Sequence, residues 1–172
     1  MAPHAAGSQL SYPLRQVEGL QAPEAALRRR SGSHAGEARR EAKALFEKLL
    51  LSEGEPLLLH GDLHQENILS AGRRTWLAID PKGVVGKAAH DTAALLRNPV
   101  GALDAPDPKR LLERRLERRL DVLSGELGLG RARVRGWGLA RAVLAAYWGL
   151  EDCGRVWDEA LAFAGLLAEI KD

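Results

Sequence analysis

Leu57-Leu58-Leu59-His60-Gly61-Asp62-Leu63-His64-Gln65-Glu66-Asn67-Ile68-Leu69 is the stretch whose reading decides the fold. Two short apolar runs, Leu57–Leu59 and Ile68–Leu69, flank a polar loop, which reads as strand, loop, strand. A further apolar run, Trp76–Ile79, follows the turn residues Ala71-Gly72-Arg73-Arg74 and ends in Asp80. The expectation is one compact hairpin that presents Asp62, Asn67 and Asp80 at its ends, with His60 close by.

The spacing H-x-D-x-x-x-x-N, followed by an aspartate after an apolar strand, matches the catalytic loop and metal-binding aspartate used in phosphoryl transfer. That chemistry needs positioning and charge neutralisation more than covalent help. Asp62 is placed to accept the proton of an acceptor hydroxyl and to aim its oxygen. Asn67 and Asp80 supply hard oxygen ligands suited to Mg²⁺. His60 joins this set as the residue that buttresses the loop through hydrogen bonds.

Plainer readings compete at each position. A single aspartate in a turn is usually structural, but four polar positions that meet one template between two strands reverse that expectation. His60 and His64 also spell H-x-x-x-H, a zinc pair in some proteins. A zinc helix, however, needs a helix and a glutamate directly after the first histidine, whereas Gly61 and the leucines before it favour strand and loop. Gly83-Val84-Val85-Gly86-Lys87-Ala88 fails as a phosphate-binding P-loop, because its glycines are too close and no Ser or Thr follows the lysine.

The same residues carry a resemblance. His60-Gly61-Asp62-Leu63-His64 with Asn67-Ile68-Leu69 is similar to the catalytic loop of the aminoglycoside phosphotransferases. Trp76-Leu77-Ala78-Ile79-Asp80-Pro81-Lys82-Gly83-Val84-Val85-Gly86, then Asp91-Thr92-Ala93-Ala94-Leu95-Leu96-Arg97-Asn98-Pro99, narrows it to the streptomycin 6-phosphotransferase and hydroxyurea phosphotransferase branch, in which Ile-Asp-Pro-Lys-Gly replaces Asp-Phe-Gly. The core of the likeness runs from about Glu55 to Pro99, with weaker likeness from Tyr12 upstream and through Trp148–Asp152 downstream. Glu66 stands where many relatives have glycine. The resemblance implies ATP and Mg²⁺ as cofactors and an aminoglycoside-like acceptor phosphorylated on an alcohol group. It also implies that Asp91 and His64 support the catalytic loop. For Asp91 a helix N-cap is the plain alternative, and the two roles are compatible.

Composition narrows the classes. A length of 172 residues suits one domain with a real core, and a formal charge of +2 makes no global demand for nucleic acid or an anionic membrane. One cysteine, Cys153, excludes an internal disulfide framework and fits the cytoplasm. No apolar run reaches the length of a membrane span, and Met1–Gly7 lacks the pattern of a signal peptide.

Outward from the loop, residues 1–36 read as an irregular segment rich in Ala, Gly, Pro and Ser, apart from a possible short helix over Pro23–Arg30. Its Arg28-Arg29-Arg30 cluster reads as a solvated helix end rather than a nucleic-acid patch. Residues 37–172 form the second unit. Glu37–Leu51 is an amphipathic helix with Ala38, Leu45, Phe46, Leu49 and Leu50 inward. Pro81–Ala89 reads as loop and Thr92–Arg97 as a short helix ended by Asn98-Pro99. Pro108–Leu127 carries Leu112, Leu116, Leu120, Leu123 and Leu127 as one stripe, stopped by Gly128, and is too short for a coiled coil. Arg131–Leu150 is a helix weakened by Gly136 and Gly138, with Leu139, Val143, Ala146, Tyr147 and Leu150 inward. Val156–Ile170 is another, with Trp157, Leu161, Ala164, Leu167 and Ala168 inward.

Between these last two helices, Glu151 and Asp152 sit beside Tyr147 and Trp148. Carboxylates there suit a cationic aminosugar, although acids at helix ends are common on any surface.

The resulting expectation is an α+β, mainly helical protein: a protein-kinase-like large lobe with a small β-hairpin. The 59 residues before His60 hold no glycine-rich phosphate loop and no strand lysine, so the small lobe is expected to be absent. Two rivals remain: a catalytically silent remnant or binding module of the same fold, and a metal-dependent hydrolase using His60, Asp62 and His64.

Overall fold

The computed structural model describes residues 33–51, 54–72, 75–97, 107–153 and 156–171, with backbone alone for 33–39 and 150–153. The readings of residues 1–32 and of Asn98-Pro99 lie outside the described residues. Five helices and four three-residue strands make up the described chain: α1 (Ser33–Leu50), β1 (Leu57–Leu59), β2 (Ile68–Ser70), β3 (Trp76–Ala78), β4 (Val84–Gly86), α2 (Ala89–Arg97), α3 (Pro108–Leu127), α4 (Arg131–Cys153) and α5 (Asp158–Glu169). A 3₁₀ turn, Gln65–Asn67, leads into β2. None of the described helices is long and apolar enough to cross a membrane.

The core is built on α4, which packs against α1, α2, α3 and α5. Val134, Trp137, Ala140 and Leu144 on this helix are fully buried. Those four share one face, but Ala142, Val143, Ala145, Ala146 and Tyr147 are buried as well and carry the apolar surface round this half of the helix. That places it in the middle of a bundle, so the single inward face expected for Arg131–Leu150 underestimates it. Leu139 is only half-buried, and the helix continues to Cys153. Trp137 meets Phe46 of α1 edge-on at 5.0 Å between ring centroids and His90 of α2 at 5.1 Å.

Gly136 and Gly138 serve packing here. An added Cβ at Gly138 would stand 2.8 Å from Leu96 Cδ1 and 3.1 Å from Leu167 Cδ1. Both leucines are fully buried, so the bare backbone is what lets α2 and α5 approach α4. The helix-weakening reading of this glycine therefore gives way to a close-approach role.

Around α4 the other helices follow their sequence signals with local shifts. α3 occupies the predicted range. The Asp107 carboxylate accepts from the Arg110 amide at its start, and Gly128 closes it at φ 62°. Within the leucine stripe Leu116 and Leu120 are buried, while Leu127 is 55% exposed because it lies in the last turn, beyond the packed zone. α1 starts at Ser33, four residues ahead of the expected Glu37, and Leu51 falls outside it. α5 starts at Asp158, so Trp157 precedes the helix and is 40% exposed instead of inward. Ala168 also faces solvent, and Phe163 and Ala160 take the buried positions.

The β region departs from the expected single hairpin. β1 pairs antiparallel with β4, Leu59 opposite Val84, and β2 pairs antiparallel with β3, Ile68 opposite Ala78. The partner of β1 thus comes from the segment read as loop. Val84-Val85-Gly86 is too short to show a two-residue period, and its pairing is set by a contact remote in sequence. α2 likewise begins three residues before Thr92, which places Asp91 inside its first turn and not at the N-cap.

Candidate functional site

Gly61 makes the sharp bend after β1. It sits at φ 84°, and a Cβ there would come within 2.7 Å of Val84 Cγ2 on β4. Backbone conformation and space therefore both require glycine between His60 and Asp62. From this bend the loop is pinned in three directions.

Asp91 holds it from α2. Its carboxylate accepts the His60 amide at 2.8 Å and the Gly61 amide at 2.9 Å. Burial pushes this carboxyl up, but neighbouring His90 and the Gly61 and His60 amides pull harder, so it titrates below the ordinary value. His60 holds the loop from the strands. Its Nε2 lies 2.8 Å from the Ile79 carbonyl, and its Nδ1 faces the Asp62 amide at 3.4 Å. A carbonyl only accepts, so Nε2 carries the proton and Nδ1 is left to accept. Lys82 holds the far side by donating its amide to the His60 carbonyl at 2.7 Å.

Asn67 is buried at the end of the 3₁₀ turn. Its Nδ2 donates to the Asp62 carbonyl at 2.9 Å, which leaves Oδ1 as an acceptor. Its own carbonyl receives the Ile79 amide at 2.9 Å. The peptides of Asp62 and Asn67, and Ile79 beside Asp80, are thereby joined at the open end of the β2–β3 hairpin. Asp80 follows at φ 55°, a left-handed backbone rare outside glycine. Its exposed carboxylate is 2.7 Å from Lys82 Nζ, and that hydrogen bond and charge hold it below the usual carboxylate range.

His64 Nε2 lies 3.9 Å from Asp62 Oδ2, and its Nδ1 lies 4.0 Å from Glu66 Oε2. It therefore stands beside Asp62 without a tight bond to either acid. Zinc fits poorly. Both ring nitrogens of His60 are already engaged, and among the described residues no group of three or more His, Cys, Asp or Glu could hold a metal. A magnesium ion asks for less: one or two side-chain oxygens, with phosphates and water completing its shell. Asn67 Oδ1 and the Asp80 carboxylate meet that requirement in kind.

Asp62 also opens onto a cleft between α2 and α4. The remaining lining is Ala93, Ala94 and Arg97 of α2 with Gly138, Arg141, Ala142, Ala145 and Trp148 of α4, around a space of about 40 Å³. The Arg141 guanidinium lies 5.5 Å from the centre of the Trp148 ring. Sequence reading passed over Arg97 and Arg141 and left Lys82 without a role. A signal existed for the cleft: the five α4 residues stand at i, i+3, i+4, i+7 and i+10, which is one helix face. For Lys82 the only hint was its place two residues after Asp80. Glu151 and Asp152 lie one turn beyond Trp148 on α4, with side chains outside the described residues.

The helices of the described chain hold the HGD loop, Asn67 and Asp80 beside a small two-sheet β region. The model of the aminoglycoside/hydroxyurea antibiotic resistance kinase family matches residues 5–153. The chain belongs to this family.

It is 39% identical over 129 residues to a streptomycin 3''-kinase of Klebsiella pneumoniae, covering 73% of this chain and 46% of that protein. It is 42% identical over 101 residues to a streptomycin 6-kinase of Streptomyces griseus, covering 58% and 32%. A hydroxyurea phosphotransferase of Kitasatospora aureofaciens is 36% identical over 132 residues, covering 76% and 34%. The chain thus spans less than half the length of these relatives. No solved structure matches it.

Proposed function

We propose that these residues form the kinase-like large lobe of an enzyme that transfers the γ-phosphate of ATP to an alcohol group of an aminoglycoside such as streptomycin, or of a related antibiotic. The observation that carries the reading is the Asp62 loop, its backbone held by Asp91 and His60 and its carbonyl tied to Asn67 beside Asp80. Asp62 accepts the acceptor's hydroxyl proton and aims its oxygen. His60 keeps the loop in shape, and Asp91 and His64 support it. Asn67 and Asp80 hold Mg²⁺, which when bound neutralises phosphate charge.

The acceptor reaches Asp62 through the α2–α4 cleft, with Trp148 as an apolar wall. Glu151 and Asp152 take a cationic end of the acceptor outside it. The space of about 40 Å³ between Ala93, Ala94, Gly138, Ala142 and Ala145 is too small for a whole aminoglycoside, and Arg97 and Arg141 in the same lining repel its cationic groups, so only an uncharged, hydroxyl-bearing edge of the acceptor enters there.

Because the relatives are longer, the assay compares this chain with the same chain joined in frame behind the amino-terminal part of a streptomycin kinase. The readout is transfer of labelled γ-phosphate to streptomycin. Transfer that requires Asp62 supports the reading. A folded fusion that binds ATP and acceptor but transfers nothing favours the rival, a silent binding module. In an active fusion, changing Glu151 and Asp152 together to their amides should raise the acceptor KM well above any change in the ATP KM. Equal shifts would return both to the ordinary surface.

A further inference from the structure

We propose that Lys82 is a working residue of this site: its ammonium holds the Asp80 carboxylate in the metal-free protein and turns to a phosphoryl oxygen when a divalent cation takes its place. The inference rests on the reading of Asp80 as a metal ligand.

The pair is close but exposed. Nζ and Oδ2 are 2.7 Å apart, with the lysine side chain 39% and the aspartate side chain 64% exposed. An ion pair so open to water contributes little to folding, so structural need does not account for it. A divalent cation meets weak competition from it at the same oxygen. What the pair does is keep a cation on a carboxylate carried by a left-handed turn residue, at φ 55°.

The backbone around it does not move freely. The Lys82 amide donates to the His60 carbonyl at 2.7 Å, and Pro81 before it has a fixed φ. The main chain of Lys82 is therefore tied to the loop that carries Asp62, and its four-carbon stem carries the ammonium beyond that tether. Displaced from Asp80, the ammonium remains within a stem's length of that carboxylate. There it would meet the phosphate oxygens that a metal on Asp80 draws in. A compact, mobile point charge with three donors suits a phosphate oxygen whose position shifts during transfer.

The test uses the whole chain and two probes that need no turnover. Mn²⁺ alone is titrated by electron paramagnetic resonance, and inorganic pyrophosphate is titrated by calorimetry at saturating Mg²⁺. Lys82→Met should bind Mn²⁺ up to about fivefold tighter, since the competing ammonium is gone. It should bind pyrophosphate at least about tenfold more weakly, since a charged hydrogen-bond donor is gone. Lys82→Arg should keep most of the pyrophosphate affinity. Unfolding midpoints equal to wild type establish that the variants fold.

Shifts of the same sign for both probes, or no shift, would overturn the role of Lys82 while Asp80-dependent Mn²⁺ binding kept the site reading intact. Mn²⁺ binding that survives Asp80→Asn unchanged would overturn the site reading and this inference together.

Discussion

Asp91 is the residue on which the geometry of the loop turns. One carboxylate satisfies two consecutive amides, His60 and Gly61, that the bend would otherwise leave without partners. Asp91→Ala should therefore cost about 2–3 kcal/mol, the penalty for leaving partly buried donors unpaired, as read from urea denaturation. The pH dependence has a defined sign. Folding lowers the Asp91 carboxyl below its ordinary 3.8, so the unfolded chain binds the proton first. The stability from Asp91 is present above that value and is lost as pH falls beneath it. Neighbouring His90 adds a second window. Burial, with Arg141 nearby, lowers its imidazole from 6.5 despite the opposing pull of Asp91. Stability should start to fall as pH drops below 6.5, and His90→Gln should flatten that part of the profile. The role proposed for Asp62 is chemical rather than stabilising. In the active fusion, Asp62→Asn should reduce kcat by roughly 10²–10⁴-fold and leave nucleotide affinity nearly unchanged, because its proposed contact is the acceptor.

Among the elements, α4 joins the core to the site. Trp137 packs on His90, and His90 precedes the aspartate that clamps the loop. One glycine on α4 and one on α5 give a paired test. Gly138→Ala should overpack Leu96 and Leu167 at about 1–3 kcal/mol, against about 1 kcal/mol recovered in helix propensity. The net effect should be a loss of about 1 kcal/mol. Gly165→Ala on α5 meets nothing within 4 Å, so only the propensity gain of about 0.5–1 kcal/mol remains and stability should rise. Thermal or urea unfolding of the two variants should move in opposite directions. A Gly138→Ala protein as stable as wild type would show that α2 and α5 can retreat from α4.

On the scale of the whole molecule, the strands leave an apolar surface. Leu58 is 79% exposed, Trp76 64%, Leu57 50% and Leu77 47%. Such exposure on short strands favours association with other surfaces. Leu58→Lys and Leu77→Lys together should lower self-association in analytical ultracentrifugation and leave the unfolding midpoint nearly unchanged, since neither side chain contributes to the core.

The parts of this protein that depend on neighbours in sequence were legible without a structure. Pro108–Leu127 was read in its full range, because a leucine stripe and a stopping glycine act within a few residues of one another. That Asp62, Asn67 and Asp80 lie near one another was also legible, because short strands and a turn join them along the chain. Contacts between remote segments were not. Val84 finds Leu59, and Leu96 and Leu167 find the bare backbone of Gly138, only when the helices close on α4. No periodic signal in a three-residue strand or at a single glycine encodes such a partner. The cleft beside Asp62 has the same origin: α2 and α4 each contribute one face, and the space between them exists only once they pack.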